Sequence, residues 1–474
     1  MSIKEHKRNV WLIWFAGSGL LFLYIILRAN SLSFTHDEAL SYTVVKLKNY
    51  FEFTANNHQL NTWLMAFCAN VFGESEMSLR LPNVLLFGVY LFFCFRIILK
   101  SGRTAFVLFA IPLLFLNPFV LDFFSLARGY GLSLGFMAAS LYYFLRRDFT
   151  DFSHQNLIRD FCLAMLFATP ALFANLALIN FYIALLVIFT GNYFLFYKKN
   201  FSVERKKHIQ FIGVFILSCI PLLIIVKRLL IISKAGDLYV GTDSFHQSIS
   251  SFIERSSYFI PYPIWFVEKL QIFIELIFPI GLIITLIRKK ITGPVMKVGI
   301  LIMVILTGIY LEHYLFEALF PWSRTGVYFI PLFGFFIFYL FIQFIEGLKP
   351  QLQKVLVAAG LLLVTLPLTI HFLKTINLVH TFEWKYEAHT KDVVEEMAKK
   401  NRRIVLGYDW IFGPAINYYV QSKKLNIVPI KLEEGKPYDQ DFVYEFKNQL
   451  KDSTWTLVKS YEDIGSGLYK NSDK

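Results

Sequence analysis

Long apolar runs separated by short polar segments occupy most of the chain. Eleven of them come close to the roughly 17–25 residues that a helix needs to cross a bilayer, and they predict eleven transmembrane helices. The runs lie at residues 10–28, 82–99, 104–121, 129–145, 159–174, 177–197, 209–232, 269–288, 297–315, 326–346 and 354–373. A shorter apolar run at 60–72 predicts a helix that lies in the membrane interface.

The polar pattern changes after residue 373. Residues 386–400 have the periodicity of a helix, and three short segments rich in β-branched and aromatic residues predict strands, with helical stretches between them. These strands are predicted at 403–408, 425–430 and 455–459. We therefore expect two domains, a polytopic α-helical membrane domain at 1–373 and a small α/β domain at 374–474.

The composition excludes a soluble, disordered or fibrous protein. Of the 474 residues, 56% are hydrophobic and only 17% are charged, and the mean hydropathy is +0.51. A soluble protein carries about 25% charged residues. Too few polar side chains remain to cover the surface of soluble domains, so most of the chain is expected to lie in lipid.

The net charge of +13 comes almost entirely from the first 373 residues, which hold 31 basic and 19 acidic side chains; residues 374–474 hold 16 and 15. The surplus is dispersed over short loops, and the loops of one side hold about three times as many basic residues as those of the other. Nucleic-acid binding is not expected, because it requires one clustered basic face. The positive-inside rule predicts an inner-membrane protein with its N-terminus inside and its C-terminal domain outside.

Candidate chemistry lies in segments that this topology places outside. The first outer loop contains His36, Asp37 and Glu38. Adjacent carboxylates suit acid–base catalysis, but they also fit a helix start with Thr35 or Asp37 as N-cap and Glu38 in the first turn. Three other polar segments are predicted on the same face, at 56–83, 122–132 and 320–331.

In these segments the sequence resembles the GT-C superfamily of polytopic glycosyltransferases, which use polyprenyl-phosphate sugars. The protein O-mannosyltransferase and aminoarabinose-transferase branch is most similar. The resemblance rests on the acidic pair, on the stretch from Asn56 to Pro82, and on Ser-Leu-Ala-Arg-Gly-Tyr at 125–130. It covers residues 10–145 and 320–331. The chain departs from the branch at Gln59, where many members have proline, and at Leu126, where an acidic residue is usual.

The resemblance implies a GT-C-like fold in which Asp37 is the catalytic carboxylate and Glu38 supports it. A polyprenyl phosphate leaves without a general acid, so an inverting transfer needs one carboxylate as base and cations at the phosphate. Arg128 and Arg324 are the candidates for the phosphate, because guanidinium offers a planar fork to its oxygens. Asp122 is a candidate to hold a divalent cation with Asp37. Candidates to bind the acceptor or support the site are His36, His58, Tyr130 and Tyr262.

Several of these residues also fit a purely structural role. Arg128 and Arg324 are compatible with snorkelling at the membrane edge, and Arg80 fits an interface anchor better than a site residue. Asp122 also fits an ordinary helix end, and His58 a structural hydrogen bond. Tyr262 lies in the aromatic loop 233–268, which suits either an acceptor cover or the interfacial belt of a membrane protein.

The sequence thus predicts a membrane glycosyltransferase that moves a sugar from a polyprenyl-phosphate donor to a protein, lipid or glycan acceptor. Its partners would be the lipid-linked donor, membrane lipid and the acceptor. A transporter or flippase of lipid-linked sugars is the alternative, and it would need charged residues near the middle of the bilayer. A non-enzymatic scaffold is the third possibility, and it would need no clustering of Asp37, Arg128 and Arg324.

Overall fold

The structure, a computed structural model, describes residues 3–52, 54–147, 153–199, 205–433, 439–446 and 454–473. The helices are α1 (Ile3–Ser31), α2 (His36–Lys46), α3 (Gln59–Phe72), α4 (Glu76–Ile98), α5 (Thr104–Phe115), α6 (Pro118–Asp122), α7 (Gly129–Leu145), α8 (His154–Ala174), α9 (Ile179–Lys199), α10 (Arg205–Lys234), α11 (Phe245–Ser257), α12 (Ile264–Ile287), α13 (Pro294–Phe316), α14 (Phe329–Ile345), α15 (Pro350–Gly360), α16 (Leu366–Thr375), α17 (Thr390–Ala398) and α18 (Gly413–Ser422). The strands are β1 (Ile404–Tyr408), β2 (Ile427–Lys431), β3 (Phe442–Phe446), β4 (Trp455–Tyr461) and β5 (Ser466–Asn471).

Every predicted apolar run falls on one of these helices or on two consecutive ones. Among the described residues, seven helices are long and apolar enough to cross a membrane, and α1 with α2 forms an eighth only if this pair, bent by 71°, is one span. Two further apolar helices, α5 and α14, are shorter. The chain is a multi-pass membrane protein, and the number of eleven spans stays a prediction. The run at 60–72 forms α3.

The long helices differ in how much of their apolar surface they bury. Helices α8, α9 and α13 bury half or more of their most apolar stretch, whereas α10, α12 and the α15–α16 segment bury little of theirs. A helix that exposes apolar side chains all along its length requires a lipid environment, because water would not solvate them. The second group therefore forms the lipid-facing side of the bundle.

The tail forms one five-stranded sheet in the order β2-β1-β3-β5-β4. Strand β1 is parallel to β2 and to β3, whereas β5 runs antiparallel to both β3 and β4. The predicted strands coincide with β1, β2 and β4. The expectation of helices elsewhere between them was wrong for 442–446, which is β3, and part of it falls on 434–438 and 447–453, outside the described residues.

The core of the tail continues into the first outer loop. Tyr418 of α18 stacks on Phe34 at 3.9 Å between ring centroids and meets Tyr42 of α2 edge-on at 5.0 Å. Both aromatic residues of the loop are buried in the same apolar cluster as Phe412 and Tyr444 of the tail. Helix α18 of the tail is therefore packed directly on α2, the helix that carries Asp37, while a domain boundary at residue 373 stays a prediction.

The sidedness of the tail is directly testable. A reporter fused after residue 200 is expected on the inner side and one fused after residue 400 on the outer side, because an odd number of predicted spans separates them. A fusion after residue 150 is the control and should report the same side as residue 200. Identical sidedness at 200 and 400 would refute the eleven-span topology.

Candidate active site

The first turn of α2 places Asp37 and Glu38 on different sides of the helix. Thr35 caps the helix, since its hydroxyl accepts from the Glu38 backbone N–H and the Glu38 carboxylate accepts from the Thr35 backbone N–H. This capping box confirms the N-cap expectation for Thr35 and fixes how the chain enters α2. Successive helix residues point about 100° apart, so the two carboxylates have separate surroundings.

Asp37 lies between two guanidinium groups that come from distant parts of the chain. Its Oδ2 is 3.4 Å from Nη2 of Arg128 and 3.3 Å from Nη2 of Arg324. Both separations exceed the roughly 2.7–2.9 Å of a charge-assisted hydrogen bond, and Oδ2 accepts no hydrogen bond within the described residues although it is buried. The carboxylate is therefore held by charge without being fully occupied.

Arg128 is fully buried at the N-terminus of α7. Its Nη1 donates to the Asp37 carbonyl at 3.1 Å and to the Ser41 hydroxyl at 3.0 Å, and its Nη2 donates to Oδ1 of Asn56 at 2.5 Å. Gly129 follows it, and a Cβ there would lie 1.9 Å from the carbonyl of Ala174. Only glycine allows this close approach, which seats the start of α7 against the end of α8. Arg128 is therefore not a snorkelling side chain, which would keep its charged end in water.

Arg324 reaches the site from the short turn at Ser323–Gly326. Its guanidinium lies 5.1 Å from the ring centroid of Trp384, and its Nη1 is 3.7 Å from Oε2 of Glu383. Tyr130 lies close enough for its hydroxyl to interact with the Arg324 charge. The Arg324 side chain is 24% exposed, so this guanidinium, unlike that of Arg128, is open to a ligand.

The charges around Asp37 keep it ionised. Burial by itself raises the pKa of Asp37, but the charges of Arg128, Arg324 and His36 outweigh it and hold the pKa below its ordinary value. Asp37 lies beyond the predicted span 10–28, at the start of α2. A carboxylate that is ionised at neutral pH and has an oxygen without a hydrogen-bond donor is equipped to accept a proton.

Glu38, which was expected to support Asp37, does not face this cluster, and a part for it in catalysis stays a prediction. It is fully buried, and both its oxygens are bound by Arg80, Nε to Oε1 and Nη2 to Oε2, each at 2.7 Å. The backbone N–H of Ala127 also donates to Oε1. With every oxygen occupied, Glu38 is a structural residue that joins the first two outer loops.

Arg80 was expected at the membrane interface, and that expectation was wrong. Its side chain is completely buried and also donates to the carbonyls of Ala29, Leu32 and Ser33. Arg80 thereby fixes the chain between α1 and α2. A snorkelling side chain would keep its charged end in water.

The histidines lie on two sides of the cluster. His36 Nδ1 lies 2.8 Å from the carbonyl of Ile411 in the tail. His58, the N-cap residue of α3, has Nδ1 2.7 Å from the carbonyl of Ala174, so Nδ1 donates and Nε2 is an acceptor. Nε2 of His58 is buried and has no hydrogen-bond partner among the residues that the structure describes. Burial together with the Arg128 charge lowers the pKa of His58 well below its ordinary value. The neutral ring packs against Tyr130 at 4.5 Å.

Asp122 is not available to share a metal ion with Asp37, contrary to the expectation. Its Oδ1 accepts from Arg28 and from the Tyr258 hydroxyl, and its Oδ2 accepts from the Phe382 backbone N–H. Across the described residues, no group of three or more His, Cys, Asp or Glu side chains is placed to hold a metal ion. The residues therefore do not fit the expected divalent cation.

Tyr262 lies away from the cluster. Its hydroxyl is 2.8 Å from Nδ1 of His371 on α16, and its ring neighbours Phe266. No described contact joins it to Asp37, Arg128 or Arg324. The loop 233–268 does reach the site, but through another residue, Arg255, whose Nε lies 3.1 Å from Glu383.

Three site residues carried no recognisable signal in the sequence. Glu383 and Trp384 lie between α16 and α17, where no motif marks them, and Arg255 lies on α11, within the stretch 233–268 that was predicted as a loop. Arg28, the partner of Asp122 outside this site, lies at the end of an apolar run, which gives no sign of that ion pair. Only Asn56 stood in a motif, and its contact with Arg128 was not foreseen.

No protein-family model matches the sequence, and a search of curated proteins finds no match. Solved structures do match. The chain is similar to the crystal structure of ArnT from Cupriavidus metallidurans bound to undecaprenyl phosphate, with a TM-score of 0.53 and 11% identity over 97% of each chain. It is also similar to the structure of the same protein in the apo state, with a TM-score of 0.50 and 11% identity over 98% of this chain and 99% of the other. This likeness establishes that the chain shares the fold of these structures.

Proposed function

We propose that this protein is an integral-membrane glycosyltransferase that takes one sugar from a polyprenyl-phosphate donor and transfers it to a hydroxyl group of a protein, lipid or glycan. We place the reaction at the outer face of the inner membrane, with the N-terminus inside. The observation that carries the proposal is the position of the ionised Asp37 between Arg128 and Arg324, on a fold shared with a protein crystallised with undecaprenyl phosphate.

The donor phosphate would bind to the arginines. Arg324 is partly exposed, and its separation from Asp37 leaves it without a close partner there. A phosphate group can present two oxygens to the guanidinium at the short distance of a bidentate contact, and Asp37 does not make such a contact. Arg128 is fixed by Ser41 and Asn56, so it would supply a stationary positive charge. The polyprenyl chain would lie in the surrounding lipid.

The proposed reaction is a single displacement with Asp37 as base. Asp37 takes the proton of the acceptor hydroxyl while the hydroxyl oxygen attacks the anomeric carbon from the side opposite the phosphate. The bond from this carbon to the phosphate oxygen breaks, its electron pair leaves with polyprenyl phosphate, and the anomeric configuration is inverted. The arginines stabilise the charge that develops on the phosphate. No step is assigned to a metal ion, because the described residues do not form a site for one.

A transporter or flippase of lipid-linked sugars remains the second candidate. Its charged groups would be expected along a path through the bilayer. Here the acid and both arginines meet at a single point built from α2, the start of α7 and the turn at Ser323–Gly326. A scaffold protein would have no reason to bring these three side chains together. The convergence favours the transferase.

The proposal is tested by incubating the purified protein with a panel of polyprenyl-phosphate sugars and, as acceptors, the proteins, lipids and glycans extracted from the envelope of cells that make this protein. Release of polyprenyl phosphate from one donor, together with labelled acceptor, is the expected result. The same panel in sealed liposomes tests the flippase, which would move the donor across the bilayer without cleaving it. Movement without cleavage would reject the transferase.

Removing either arginine is expected to weaken donor binding. Arg128→Ala and Arg324→Ala each delete a charge-assisted contact to phosphate, which contributes roughly 1.5–3 kcal/mol, or about one to two decades in dissociation constant. Binding of a labelled donor in detergent measures the effect. Arg159→Ala, an exposed arginine of α8 with a salt bridge to Asp160, is the control and should bind donor normally. Normal binding by both site variants would mean that these arginines serve the fold alone.

A further inference from the structure

Glu383 connects the donor arginines to the segment that leads into the tail. Its Oε1 accepts from Nε of Arg255 at 3.1 Å and from the Ser323 hydroxyl, and its Oε2 faces Nη1 of Arg324 at 3.7 Å. The Arg255 guanidinium is stacked between the rings of Trp322 and Phe382, at 4.8 and 4.9 Å. Glu383 is therefore held rigidly by Arg255 and Ser323, whereas its contact with Arg324 is looser.

Arg324 is shared between two carboxylates. One terminal nitrogen lies 3.3 Å from Asp37 and the other 3.7 Å from Glu383, and both separations are longer than a charge-assisted hydrogen bond of roughly 2.7–2.9 Å. Arg324 therefore has a carboxylate on each of two sides and is closed on neither of them.

We propose that Glu383 is a positioning residue for the transfer reaction: it holds Arg324 between itself and Asp37, so that the guanidinium does not close on the base and weaken it. This inference rests on the proposed function, since it assigns Asp37 as base and Arg324 as phosphate ligand. Glu383 lies in the segment between α16 and α17, and it would act on the reaction only through its contact with Arg324.

The sign of the effect follows from the charges at the site. Glu383→Gln keeps the shape and the contact with Ser323 but removes the charge that draws Arg324 away. Arg324 then closes on Asp37, which lowers the pKa of Asp37 further and makes it a weaker base. The acid limb of the pH–rate profile, where Asp37 becomes protonated, moves to lower pH, and kcat falls. The other titratable or charged groups that face Asp37 or Arg324 among the described residues are Arg128, His36, His58, Tyr130 and Tyr386.

The affinity for phosphate is expected to respond differently from kcat. Glu383 competes with a phosphate for Arg324, but when Glu383 is neutralised Asp37 takes its place as the competitor. The affinity for undecaprenyl phosphate in micelles is therefore expected to stay within about threefold of the wild type. A residue that served the fold alone would weaken both binding and transfer when replaced. Glu254→Gln is the matched control, because Glu254 also binds Arg255, at 2.7 Å, but is 66% exposed and has no described contact with Arg324.

The experiment measures undecaprenyl-phosphate affinity, and kcat against pH, for the wild type, Glu383→Gln, Glu254→Gln, Arg324→Ala and the Glu383→Gln/Arg324→Ala double variant. We expect Glu383→Gln to lower kcat by about three- to tenfold, with its acid limb at lower pH, and to add nothing to Arg324→Ala. Phosphate binding by Glu383→Gln more than about threefold weaker than that of the wild type, an unmoved acid limb, or additive losses in the double variant would overturn the inference.

Failure of the proposed function is distinguishable in the same data. A wild type that binds undecaprenyl phosphate but transfers no sugar from any donor rejects the transferase, while the affinities still test whether Glu383 serves the fold alone. A wild type that does not bind undecaprenyl phosphate overturns both proposals.

Discussion

Asp37→Asn is expected to lower single-turnover sugar transfer by at least about a hundredfold, the effect of removing a general base. Asparagine has the shape of aspartate, so α2 and its capping box at Thr35 should be preserved. The amide cannot take the acceptor proton at neutral pH, which leaves the chemical step without its base. The measurement is transfer in a single turnover with donor bound at saturation, so that any change in donor affinity does not enter the rate.

In this variant, measuring donor affinity separately from transfer distinguishes the binding role of the site from its role as a base. Asp37→Asn frees Arg128 and Arg324 from a competing carboxylate, so the affinity for donor should be kept or improved while transfer is lost. Asp243→Asn, which changes an exposed carboxylate of the outer loop 233–268, is the isosteric control and should transfer normally. Near-normal transfer by Asp37→Asn would reject the base assignment, even if sugar transfer by the wild type were established.

Glu38→Gln is expected to cost about 3–5 kcal/mol of unfolding free energy, because it leaves the buried Arg80 without its counter-ion. Arg80 is fully buried, and Glu38 supplies the two hydrogen bonds that neutralise it. The loss should appear as a strongly lowered midpoint of thermal unfolding in detergent. Any loss of transfer should be proportional to the loss of folded protein, since Glu38 does not face the Asp37 cluster.

An exposed pair of the same region gives the comparison. Lys46 and Glu74 are 2.8 Å apart, but their side chains are 43% and 30% exposed. Such pairs contribute about 1 kcal/mol or less, so Lys46→Gln should barely move the unfolding midpoint. If Glu38→Gln were equally harmless and instead abolished transfer in fully folded protein, Glu38 and not Asp37 would be the catalytic member of the acidic pair.

The secondary structure could be predicted from the sequence where the residues that determine an element lie within that element. Apolar runs of the required length became helices because a backbone in lipid must satisfy its hydrogen bonds within the helix. An N-cap at Thr35 or Asp37 could be expected from the sequence because a cap and the turn it closes are at most three residues apart. Strands β3 and β5 were not predicted, and what stabilises them is their pairing with each other and with β1 and β4, which the residues of either strand alone do not show.

The sequence indicates individual candidate residues for the site but not which of them meet in the folded protein. Asp37, Arg128 and Arg324 were selected from three segments by a family resemblance and by the chemistry of guanidinium, and the structure brings them within 3.4 Å. Glu38, Asp122 and Tyr262 were selected on similar grounds but are bound elsewhere, to Arg80, Arg28 and His371.

The sequence by itself determined that this is a polytopic membrane protein with an α/β tail, because hydropathy and periodicity are properties of neighbouring residues. Only the tertiary structure decided which acid meets which base. The energy of a buried charge depends on counter-ions that are distant along the chain, so Glu38 became a structural ion pair while its neighbour Asp37 stayed incompletely bound. The same dependence conceals Glu383, whose position beside Arg324 exists only once the segment after α16 folds back over the site.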